Sequence, residues 1–134
     1  MKIDAVELGA RAMKWRFWQW QPRMVAVPNK GSDFEGWCTI LDVRPRNGAV
    51  CAWTDCDGEI LTDTNGAFHR FADLVPDFTD AATVGAFYAY CRSLVKSGKV
   101  CVSTEEERDI DIAFQLFGVG IELAEALVDL MEHE

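Results

Sequence analysis

Apolar positions near the start of the chain recur at helical spacing. Ile3, Val6, Ala10 and Met13 share one face, with acids (Asp4, Glu7) early and bases (Arg11, Lys14) late, as a helix dipole favours. The pattern predicts a helix from Lys2 to Lys14, weakened by Gly9. From Trp15 the period changes. Trp15–Trp20 is aromatic and β-prone, and Met24–Pro28 reads as a short strand after a turn at Gln21-Pro22-Arg23. After a polar loop from Asn29 to Gly36, Trp37–Val43 is a strand. Asn47-Gly48 marks a hairpin into Ala49–Thr54, and Asp57-Gly58 a second tight turn into Glu59–Thr62. The middle third thus predicts an antiparallel meander.

Asp63–Asp77 reads as a connection with a short turn of helix near Phe68–Leu74, ended by Pro76. Thr79 is the expected N-cap of a second helix running to about Ser97. Its apolar face is Val84, Phe87, Tyr88, Cys91, Leu94 and Val95, and Gly98 follows its end. The next stretch supports two readings. Ile110, Phe114, Phe117, Ile121, Ala124, Val128 and Met131 are spaced for one long helix, yet Ile110, Ile112, Phe114 and Leu116 alternate as a strand does. Gly118 and Gly120 interrupt any helix there at about 1 kcal/mol each relative to alanine. With Val100 and Val102 as partner strand, the alternation favours a hairpin of Lys99–Ser103 with Ile110–Phe117, then a helix from about Gly120 to His133. The expected fold is α+β: one domain over residues 1–134, an antiparallel sheet of meander plus C-terminal hairpin, and three helices in a layered sandwich.

Charge adds an asymmetry. Residues 1–50 hold eight Lys/Arg and five Asp/Glu, a net of +3; residues 51–134 hold five and seventeen, a net of -12. The overall net of -9 argues against unaided binding to nucleic acid or anionic membrane. The acids concentrate at Glu105, Glu106, Glu107 and Asp109 and again at Glu122, Glu125, Asp129 and Glu132. They are the candidate contact residues for a basic protein surface, and the bland alternative is a solvated face that keeps the protein soluble. Like-charge repulsion within Glu105–Glu107 leads to the expectation that neutralising the run stabilises the fold slightly.

Candidate chemistry is sparse. Five cysteines with no Cys-x-x-Cys spacing, and no apolar leader in MKIDAVELGA, predict reduced thiols in a cytosol and no zinc. Asp55–Glu59 with Asp63–Gly66 misses the calcium-loop spacing, because Gly58 comes too early and position twelve is Gly66. His69 and His133 are the only histidines, and no spacing pairs them with a nucleophile. No nucleotide, hydrolase or zinc-protease motif occurs, so the expectation is a non-enzyme without cofactor or metal. The five tryptophans, with Arg16 and Arg23 nearby, offer a second contact surface if some face outward.

Two segments carry a resemblance. Ala12-Met-Lys-Trp15 resembles the Met-Gly-Trp signature of small phage and prophage proteins of the α-β-α sandwich type, with Lys14 replacing the glycine. Leu74–Gly85 is similar to their second signature, and Gly120–Val128 resembles their terminal helix; residues 29–66 lie outside the likeness. The resemblance implies a sandwich fold and phage origin. The leading expectation is therefore a non-enzymatic accessory protein in a bacterial host cytoplasm, inhibiting a host nucleic-acid-binding protein through its acidic surface as anti-CRISPR proteins do. Alternatives are a small-molecule or nucleotide binder or small enzyme using the Trp-rich sheet, and a structural protein that self-associates, for example as a homodimer.

Overall fold

The computed structural model describes residues 3–32, 36–46, 49–55, 60–62, 69–70 and 73–132. Its elements in chain order are α1 (Ala5–Met13), β1 (Val25–Pro28), β2 (Cys38–Arg46), β3 (Ala49–Thr54), β4 (Ile60–Thr62), β5 (His69–Arg70), β6 (Leu74–Pro76), α2 (Ala81–Lys96), α3 (Thr104–Phe117) and α4 (Ile121–Met131). This is an α+β fold. The strands form one sheet in the order β5-β4-β3-β2-β1-β6, antiparallel except between β4 and β5.

Helix α1 starts where Asp4 accepts from the backbone N–H of Val6 and Glu7, both at 3.1 Å. These bonds satisfy two of the donors that the first turn leaves open. The helix lies so close to β6 that a Cβ on Gly9 would stand 2.6 Å from the carbonyl oxygen of Pro76. That contact explains a glycine inside a helical pattern. The aromatic stretch after α1 forms turns and not a strand, with Trp15 N–H on Ala12 O and Trp18 N–H on Trp15 O. Its rings pack edge-to-face instead, Trp15 on Phe87 and Trp18 on Trp20.

The meander of β2, β3 and β4 is present as the sequence predicts. A bulge between Ile40 and Asp42 turns Ile40 into the core and leaves Leu41 outside. The expected turns at Asn47-Gly48 and Asp57-Gly58, together with Cys56, His133 and the side chain of His69, lie outside the described residues. Of the helical turn expected near Phe68–Leu74, residues 68, 71 and 72 lie outside the described residues, and β5 and β6 flank them. β6 pairs with β1 and is buried along its length, so pairing and core contact outweigh the local turn preference.

The N-cap of α2 is Asp80, one residue beyond the expected Thr79. Asp80 accepts from the N–H and hydroxyl of Thr83, and Thr83 Oγ1 accepts from Val25 N–H at 2.8 Å, which ties α2 to β1. Gly98 follows the helix with φ +79, as its expected role requires.

The C-terminal third corrects the sequence reading. Residues 99–117 form no hairpin, and the helices number four among the described residues, not three. Thr104–Phe117 is helical because Ser103 caps it in a reciprocal box: its hydroxyl accepts from Glu106 N–H, and Glu106 Oε1 accepts from Ser103 N–H at 2.9 Å. Gly118, at φ +59, ends α3, and Gly120 opens α4. The two glycines punctuate a pair of helices and not a strand end. Ala12, Trp20, Met24, Ile40, Phe87, Leu127 and their neighbours form one core shared by sheet and helices.

Candidate protein-docking surface

α4 buries Leu123, Ala124, Leu127, Val128 and Met131, as its spacing predicts. Its acids do not act as one group. Arg11 donates to Asp129 Oδ1 and Glu132 Oε1, each at 2.7 Å, joining α1 to α4. The two carboxylates hold the Arg11 pKa above its ordinary value by hydrogen bonding, more than partial burial lowers it. Arg11 therefore offsets one of the two negative charges of Asp129 and Glu132. Glu122 is exposed and Glu125 half-buried on the same helix.

On α3, Glu106 is spent on the capping box. Glu105, Glu107 and Asp109 are exposed and make no ion pair among the described residues. The structure thus separates the eight predicted contact residues into Glu105, Glu107 and Asp109, which make no ion pair among the described residues, the capping residue Glu106, the pair Asp129 and Glu132 that shares Arg11 at the end of α4, and Glu122 and Glu125 between them in sequence.

The sequence reading missed the apolar residues of the same helix. Only Ile110 and Ala113 of α3 are buried. Ile112 is 44% exposed, Leu116 71%, Phe117 50% and the following Val119 38%. Ile112 and Leu116, one turn apart, fall on one exposed side of the helix, and apolar side chains grouped in this way mark interaction surfaces. Two contacts fix the rotation of α3 about its axis. Arg92 Nη1 on α2 donates to Asp111 Oδ1 at 2.7 Å, and Tyr88 stacks on Phe114 with ring centroids 4.7 Å apart. The legible signal was Ser103-x-x-Glu106: read as a capping box, it converts the alternation of Ile110, Ile112, Phe114 and Leu116 into a helix with apolar residues on two faces.

The tryptophans divide. Trp15 and Trp20 are buried, Trp18 and Trp53 half-buried, and Trp37 is 62% exposed. The indole N–H groups of Trp15 and Trp18 are buried without an acceptor among the described residues, and both rings stand edge-to-face against aromatic neighbours. Arg16 stacks over Phe17 at 4.5 Å. A groove of about 570 Å³ lies between the Gln21–Arg23 turn and the small residues Ala82, Gly85, Ala86 and Ala89 of α2.

Among the described residues, no three His, Cys, Asp or Glu side chains converge as a metal site, and no helix is long and apolar enough to cross a membrane. Cys38, Cys51 and Cys91 are buried thiols and Cys101 is exposed. Burial pushes Cys91 up to about 12, opposite to what a reactive thiolate needs. No protein family, no curated protein and no solved structure matches this chain.

Proposed function

We propose that this chain is a non-enzymatic binding protein whose contact surface is the outer side of α3. In keeping with the resemblance of its ends and second helix to small phage proteins, the proposed setting is the bacterial host cytoplasm. There it inhibits a host protein by occupying a basic, nucleic-acid-binding surface. One observation carries the reading: α3 exposes unpaired Glu105, Glu107 and Asp109 in its first half and unburied Ile112 and Leu116 in its second. A helix that served only to close the core would turn its apolar residues inward. Carboxylates steer encounter with a basic partner, and the apolar residues supply contact area once docked.

The test is capture from a bacterial lysate by the tagged protein at low and high salt, beside a Glu105→Gln/Glu107→Gln/Asp109→Asn variant with an unchanged circular dichroism spectrum. The reading expects a protein retained at low salt. That protein is lost as ionic strength passes about 0.1 M, where the Debye length falls to ~10 Å, and the variant recovers much less of it. Equal recovery by both proteins at both salts overturns an acid-dependent contact.

A further inference from the structure

An α-helix turns ~100° per residue, so Glu105, Asp109, Ile112 and Leu116, at i, i+4, i+7 and i+11, fall in one stripe. All four are exposed, on the side of α3 roughly opposite Asp111 and Phe114, the residues that face α2. The spacing is that of a seam between two paired helices. The stripe is divided by chemistry: its N-terminal half is anionic and its C-terminal half apolar. The Arg92–Asp111 bond and the Tyr88–Phe114 stack hold it facing outward before any partner arrives. Ile112 and Leu116, one helical turn apart and both exposed, supply its apolar contact area.

Resting on the binding reading above, we infer that this stripe is a docking seam for one helical segment of a partner protein, apolar in its N-terminal half and Lys/Arg-rich in its C-terminal half, lying antiparallel to α3. Charge complementarity sets the composition. Cations must lie over Glu105 and Asp109, and apolar side chains over Ile112 and Leu116. Direction follows from the helix dipoles. Lys and Arg are favoured in the last turns of their own helix, and an antiparallel pair places those turns over the anionic N-terminal half of α3. A second copy of this chain fits poorly. Parallel stripes oppose acid to acid, and antiparallel stripes press Glu105 and Asp109 onto Leu116 and Ile112 with no countercharge.

The experiment titrates the full chain with a fluorescent synthetic helix of about five turns (~18 residues). The helix carries Leu at the seam positions of its first half and Arg at those of its second; a control peptide has the halves exchanged. Anisotropy should show the first peptide binding roughly tenfold more tightly than the second. Leu116→Asp and Glu105→Gln/Asp109→Asn should each weaken it by roughly tenfold, while Gln115→Ala, at an exposed position off the stripe, changes it by less than about twofold. Leu116→Gln replaces Leu116→Asp should the aspartate fail to fold. Equal affinity for the two peptides overturns the direction, and indifference to Leu116 overturns the seam. Self-association that Leu116→Asp abolishes makes a second copy the occupant and also overturns it. No peptide binding beside salt-sensitive, acid-dependent lysate capture defeats this inference and leaves the broader binding reading standing. Loss of both defeats both.

Discussion

Replacing Gly9 with alanine tests the close approach of α1 to β6. In an exposed helix interior this change gains about 1 kcal/mol through propensity. Here the new Cβ would sit 2.6 Å from Pro76 O, 3.1 Å from Val75 Cβ and 3.3 Å from Pro76 Cδ. The carbonyl is backbone of β6, held by the pairing of Pro76 with Ala26, so it cannot rotate away as a side chain would. α1 must therefore back off, loosening Leu8 and Ala12, which are buried beside it. Overpacking costs ~1–3 kcal/mol, and rigid backbone puts this site near the upper end, so the net loss is about 1–2 kcal/mol after the propensity gain. The assay is urea unfolding followed by tryptophan fluorescence and circular dichroism. Gly85→Ala in α2 is the internal control, because its nearest neighbour, Val119 Cγ1, would lie at an ordinary 3.7 Å. It should show the gain of about 0.5–1 kcal/mol that Gly9→Ala forfeits. If Gly9→Ala instead stabilises as Gly85→Ala does, α1 is not seated on β6 and the packing argument fails.

Neutralising Glu105, Glu106 and Glu107 to glutamine should lower stability by about 1 kcal/mol, measured by thermal unfolding. All three lie in the first turn of α3, where each negative charge is worth ~0.3–1 kcal/mol, partly offset by relieved repulsion. This sign is opposite to the one that charge repulsion in the sequence suggests, and a rise in stability would contradict the placement. Among the described cysteines, Cys101 should react rapidly with a thiol reagent at mildly alkaline pH in the native protein, while Cys91 reacts only on unfolding; fast labelling of Cys91 would refute its burial. Asp4 is held below its ordinary 3.8, first by its hydrogen bond to Lys30 and then by the helix backbone. Its depressed folded-state pKa means the carboxylate stabilises the fold above the unfolded value and ceases to do so as pH falls through the folded value. The stability gap between the natural chain and Asp4→Asn should therefore be present at neutral pH and close on strong acidification; a gap that widens in acid would be the wrong sign.

Much of the architecture is legible because its signals are local. The early acids and late bases of the first helical period follow the helix dipole, Gly98 after the second is capping chemistry, and the strands of the meander carry β-type composition. The aromatic run Trp15–Trp20 misleads because β-propensity there reflects ring packing, and these rings find partners on α2 without a ladder. β6 is illegible for the converse reason: three residues gain their strand only from β1 and the helix above them. The error at Ile110–Phe117 has the most functional weight. Alternation of apolar residues has two causes, a strand with one buried face or a helix with two apolar faces, and only the capping box at Ser103 separates them. The acids of the candidate surface are plain in the sequence, but their division is not. Arg11 is about 120 positions from Asp129 and Glu132, and which carboxylates remain free depends on that contact.

The most direct measurement is a heteronuclear NMR titration of the isotopically labelled chain with the synthetic amphipathic helix, preceded by Cα shifts for residues 110–117. The account predicts helical shifts throughout that stretch. It also predicts amide perturbations concentrated at Glu105, Asp109, Ile112 and Leu116, shrinking in Leu116→Asp. Strand-type shifts at Ile110–Phe117, or perturbations gathered instead around exposed Trp37 and Leu41 on the sheet, would contradict it.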